Sequence, residues 1–186
     1  MSKIKLGVAL FILSEANFFA LLIVAYAYFH TLPAGDGPTA ASVLNVSRTS
    51  LYSVLLFSSS ITMALAGRAY RKSSRDRLIG WLLATIALGG VFLFGQALEY
   101  IGLYRTGVVL ERNLFATTFF TVTGFHGLHV FIGLCVLAIV AGVTMSGRFG
   151  DEGVQAEAFE AVGWYWHFVD LVWVAVFSVV YLWAFI

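Results

Sequence analysis

The chain has 186 residues; 60% belong to the set AVILMFWYC and only 11% are Asp, Glu, Lys or Arg. Soluble domains carry about 25% charged residues, so this composition, with a mean hydropathy of +0.90, excludes a water-soluble globule and implies an integral membrane protein. Eleven Lys and Arg against ten Asp and Glu give a formal net charge of +1, which excludes a nucleic-acid binder working by bulk charge. The single cysteine, Cys135, excludes an internal disulfide, a CxxC pair, a cysteine-ligated cluster and c-type haem attachment.

A spanning helix needs about 20 mostly apolar residues, and charge inside it is expensive. Five stretches qualify, at 6–29, 49–67, 78–104, 114–145 and 158–186. Strand-like alternation is absent, which argues against a β-barrel. The expected fold is an all-α membrane protein, one domain of five transmembrane helices.

The first span follows Lys3 and Lys5 and ends near Ala25-Tyr26-Ala27, a layout resembling a signal peptide. Its apolar run exceeds the roughly 7–15 residues of a signal h-region. It also carries Ser14, Glu15 and Asn17, which a targeting segment does not need, so it reads as a retained span. The following loop, 31–45, holds Pro33, Gly35, Asp36, Gly37 and Pro38 and is expected to be irregular. The second span carries Ser58, Ser59, Ser60 and Thr62 and leads into a basic loop with Arg68, Arg71, Lys72, Arg75 and Arg77. The third carries Gln96 and Glu99, the fourth His126 and His129, the fifth His167 and Asp170. Residues three apart share a helix face, so each span bears a polar stripe expected to face another stripe or a partner subunit. The aromatics Trp164, Tyr165, Trp166, Phe168 and Trp173 of the fifth span read as an interfacial belt plus packing. No loop has room for a soluble domain.

One side of the membrane collects Lys3, Lys5, Arg68, Arg71, Lys72, Arg75, Arg77 and Arg148, and the other Arg48, Arg105 and Arg112. Positive-inside then predicts a cytoplasmic N-terminus and an outer C-terminus. The Arg68–Arg77 cluster reads as a topology determinant that could also contact anionic lipid. At 1.5 Å rise per residue, Glu15 and His167 lie on the order of 13 Å deep and His126 roughly 18 Å, in a hydrocarbon core about 30 Å thick. Glu15 is expected to be a neutral carboxylic acid unless a cation pairs with it, because desolvation disfavours the anion. A hydrogen-bond cluster, a partner interface and a proton path are all compatible with these residues. So is haem ligation by His126 or His129 opposite His167, with Gly124 and Gly127 nearby, although glycines in this setting more often permit close helix packing.

Four motifs sharpen the reading: Phe11-Ile12-Leu13-Ser14-Glu15 with Phe18-Phe19; Gln96-Ala97-Leu98-Glu99-Tyr100; Gly124-Phe125-His126-Gly127-Leu128-His129-Val130; and Phe159-Glu160-Ala161 leading into Trp164-Tyr165-Trp166-His167-Phe168-Val169-Asp170. In this order they resemble subunit III of haem–copper respiratory oxidases, over essentially the whole chain. The chain looks like the short five-helix bacterial form, which lacks the first two helices of the seven-helix form, so that the lipid-filled cleft is expected to be absent or completed by another chain. The resemblance implies a non-catalytic subunit that packs against subunit I, holds structural phospholipid and supports proton uptake in a bacterial plasma-membrane oxidase. Haems and copper are then expected in subunits I and II, and no cofactor or metal in this chain. Glu15, Glu99, His126, His129, Glu160, His167 and Asp170 fall on the family's polar positions. The electron donor, cytochrome c or quinol, is not specified, and related small subunits accompany nitric oxide reductases.

Overall fold

The structure, a computed structural model, describes residues 2–31, 40–109, 114–147 and 154–183. It consists of α1 (Lys3–His30), α2 (Ala40–Val43), α3 (Val46–Arg71), α4 (Arg75–Arg105), α5 (Leu114–Met145) and α6 (Val154–Phe177), the last continuing into a wider π turn, Ser178–Leu182. Among the described residues there is no strand, and five helices are long and apolar enough to cross a membrane.

The first four long helices contain their predicted spans, and α6 with its π turn covers the fifth from 158 to Leu182. Hydropathy marks where a helix meets hydrocarbon, whereas the helix itself runs on to its caps. Ser2 Oγ accepts from Lys5 N–H (3.4 Å) ahead of α1, and Asn45 Oδ1 accepts from Arg48 N–H (3.0 Å) ahead of α3, so both begin about one turn before the apolar run. The loop expected to be irregular contains one helical turn, α2. Its Pro33–Pro38 segment, Arg112, Arg148 and the last three residues lie outside the described residues.

The last span is the most enclosed: 56% of its apolar window is buried, against 6% for α1, so α6 runs through the bundle and α1 lies along its side. Two indoles tie the bundle together. Trp166 sits where both Gly89 of α4 and Gly133 of α5 lack a side chain; a Cβ at either would lie 2.9 Å from its ring. Its Nε1–H donates to Ser59 Oγ of α3 at 3.0 Å. One residue thus joins four helices, and the two glycines are the slot it needs. Two turns on, Trp173 donates to Ser53 Oγ at 2.8 Å and stacks on His126. The interfacial-belt reading therefore fails for Trp166, which like Trp173 is 1% exposed and packed inside the bundle. Trp164 is 41% exposed.

Candidate functional site

The intramembrane polar residues form several separate groups. The α1 glutamate meets α5: Glu15 Oε2 lies 3.0 Å from His129 Nε2. His129 Nδ1 lies 2.7 Å from Phe125 O. A carbonyl only accepts, so Nδ1 carries a hydrogen and donates it. One proton then remains between Nε2 and the Glu15 carboxyl, and the pair is neutral in sum wherever that proton sits. Tyr165 O–H of α6 donates to His129 O at 3.0 Å and braces the same turn. Ser14 and Asn17 do not join this group. Both are exposed, and they donate to the carbonyls of Phe11 (2.7 Å) and Leu13 (2.9 Å) on their own helix. A polar side chain satisfied by its own backbone can face lipid without a partner stripe.

The second group joins α3 to α6. Ser60 O–H donates to Asp170 Oδ2 and its oxygen lies 2.9 Å from His167 Nδ1. Serine, histidine and aspartate are all present, but the serine sits between the other two. A nucleophilic triad needs the imidazole in the middle to take the hydroxyl proton, so the group links helices and does not activate Ser60. Asp170 is buried while His167 is exposed.

His126 behaves as an aromatic ring. It is fully buried, stacked on Trp173 with centroids 4.7 Å apart, and met edge-on by Phe92 and Phe19. One turn earlier on α5, Gln96 of α4 donates to Thr123 O (2.7 Å) and to Tyr100 Oη (3.1 Å). A Cβ on Gly127 would lie 2.9 Å from Gln96 Oε1, so that glycine admits an amide. The bis-histidine haem arrangement does not fit these residues. His126 is enclosed by rings, His129 is engaged by Glu15 and Phe125, and His167 faces outward beside Ser60. Among the described residues no group of three or more His, Cys, Asp or Glu converges as a metal site.

Glu99 and Glu160 sit towards opposite ends of the bundle. Glu99 accepts from Thr49 O–H (3.0 Å) and from Tyr181 O–H (2.7 Å), joining α4 to α3 and to the π turn. Glu160 pairs with Lys5 Nζ at 2.6 Å, closing α6 onto the start of α1.

The sequence matches the family described as "Cytochrome c oxidase subunit III" over residues 1–185. This chain belongs to that family. It is similar to proteins named cytochrome c oxidase subunit 3 from Corynebacterium diphtheriae (33% identity, covering 97% of this chain and 88% of that protein), Synechocystis (36%, 95% and 74%) and Mus musculus (34%, 97% and 70%). A cytochrome c oxidase subunit III is a component of a haem–copper oxidase, so other oxidase subunits are its partners, and its five long apolar helices make it a multi-pass membrane protein.

Within this subunit III the spacing of the motifs identified the carboxylates and imidazoles but not what they touch. Ser60, Thr49, Tyr165 and Tyr181 complete the groups. Only Ser60 carried a signal, as part of the polar run of the second span. A tyrosine in a membrane helix is equally at home at an interface, so Tyr165 and Tyr181 gave none.

Proposed function

We propose that this subunit III is a non-catalytic element of a plasma-membrane oxidase in aerobic respiration. It docks on subunit I, holds structural phospholipid and supports proton uptake, while the haems and copper reside in subunits I and II. The reading includes a cytoplasmic N-terminus and α3–α4 turn. One observation carries it: the intramembrane carboxylates are engaged by neighbouring side chains of the same bundle, in separate groups that link helices. Glu15 meets His129, Glu99 meets Thr49 and Tyr181, and Asp170 meets Ser60. Such groups fix a shape for a partner to bind and supply no reaction centre of their own. The relatives' names favour dioxygen reduction over nitric oxide reduction.

Purification of the oxidase from cells lacking this chain tests the reading. The expected product has the haem spectrum and initial oxygen-consumption rate of the full complex, and loses activity progressively during turnover. Stoichiometric haem or copper in the isolated chain, or immediate loss of oxygen reduction in a complex whose haems are intact, would overturn it.

A further inference from the structure

The turn between α3 and α4 holds a cavity of about 700 Å³, with Arg68, Lys72, Ser74 and Arg77 among its polar lining and Leu65 and Trp81 among its apolar lining. Arg68 and Lys72 stand one turn apart at the end of α3, and Arg77 lies in the first turn of α4. No acidic residue lines the cavity. Among the described residues none of the three cations forms an ion pair. Two other basic residues at this end differ. Arg75 donates from Nε to Thr144 O (3.0 Å) and from its terminal nitrogen to Met145 O, and Lys5 is paired with Glu160. Ser74 caps α4 without using its hydroxyl. The polar lining belongs to the end of the bundle, whereas Leu65 lies a turn inside α3 and Trp81 more than a turn inside α4. A cationic mouth at the membrane edge with an apolar floor running into the span is complementary to an amphiphilic anion.

We propose that this cavity binds one anionic phospholipid of the cytoplasmic leaflet. Its phosphodiester sits among Arg68, Lys72 and Arg77, with the Ser74 hydroxyl as a further donor. An acyl chain lies against Leu65 and Trp81. The site is built by α3 and α4 with the turn between them and needs neither of the two helices that the short form lacks. It deepens the lipid part of the proposed function and rests on the orientation stated there.

The intact oxidase, wild type and Arg68→Gln/Arg77→Gln, is purified in phosphatidylcholine and detergent and titrated with phosphatidylglycerol, with bound lipid counted by native mass spectrometry. The variant keeps Lys72, Arg71, Arg75, Lys3 and Lys5, so the topology signal survives. At about fivefold per cation near a membrane surface, one phosphatidylglycerol is expected to bind about 30-fold more weakly, with phosphatidylcholine unchanged. Arg68→Lys/Arg77→Lys restores binding. Phosphatidylglycerol with brominated acyl chains quenches tryptophan fluorescence in the wild type, and Trp81→Phe removes that increment. Unchanged phosphatidylglycerol binding in the Gln variant overturns the site. So does displacement of the lipid by inorganic phosphate with no Trp81 quenching, which marks a plain anion site. A reporter after Ile186 is read in the same strains. A cytoplasmic C-terminus rejects the orientation, while the effect of the Gln variant on lipid binding still decides whether the cavity holds lipid.

Discussion

The single proton shared by Glu15 and His129 sets what substitution at either residue does. Phe125 O holds the Nδ1 hydrogen, so Nε2 either accepts from a neutral carboxyl or donates to a carboxylate. Glu15→Gln keeps a donor towards a neutral imidazole and is expected to assemble and turn over as the wild type does. Glu15→Ala leaves Nε2 without its partner in a half-buried setting and is expected to cost about 1–3 kcal/mol of local stability. That loss is read as weaker retention on the partner subunits during detergent washing, with the initial rate of oxygen reduction unchanged. Infrared difference spectra of wild type against Glu15→Gln locate the proton. A carboxylic C=O band at neutral pH is the expectation, and a carboxylate band would place the proton on Nε2 instead, as an ion pair of the same net charge. Loss of oxygen reduction in Glu15→Gln, with haems and assembly intact, would make the pair a participant in the chemistry.

Packing of whole helices depends on what fits between them, and that is where sequence was least informative. The five spans were legible because hydropathy along a chain needs no tertiary information. The groups at Glu99 and Asp170 were legible only by half: each acidic residue was visible on its own helix, but the register that brings Thr49, Ser60 or Tyr181 opposite depends on side chains of another. Near the entry of its span Trp166 reads as belt from sequence; its slot is formed by Gly89 and Gly133, 77 and 33 residues upstream. The slot predicts the outcome of two substitutions. Trp166→Ala removes the indole from four helices and is expected to destabilise the subunit by about 3–5 kcal/mol. Gly133→Ala forces the ring aside and is expected to cost about 1–3 kcal/mol. Thermal unfolding of the subunit in detergent, followed by helical circular dichroism, measures both. Arg75 is the matching device at the helix ends. Its guanidinium caps the last carbonyls of α5, which have no i+4 partner within the helix; Thr144 O also accepts from Gly147 N–H. Arg75→Gln is expected to fray that end at a cost of about 1 kcal/mol, seen as faster amide exchange around Thr144 and Met145.

At the scale of the molecule the distribution of charge decides how the bundle sits. The basic residues named for the proposed cytoplasmic side outnumber those for the other side by eight to three. Most are near the ends of helices, where they weigh most on topology. Two have structural work that agrees with this placement: Lys5 closes α1 onto Glu160 of α6, and Arg75 closes α4 onto the end of α5. Both closures lie at the same end of the bundle as the α3–α4 turn, because α1 and α6 begin there and α3 and α5 end there. This end is therefore cationic and tied together, while the other end is anchored by a carboxylate, Glu99, with two hydroxyl donors. The positive-inside rule favours the proposed orientation of such a bundle, with the cationic end in the cytoplasm. Alkaline phosphatase fused after Ile186 is expected to be active outside the cell, and the same reporter inserted between Lys72 and Ser74 inactive. Removing the three outer cations, Arg48, Arg105 and Arg112, should leave that pattern unchanged, since it increases the asymmetry. Adding Lys residues after Ile186 should weaken it, and an active reporter in the α3–α4 turn of the unaltered protein would reverse the assignment.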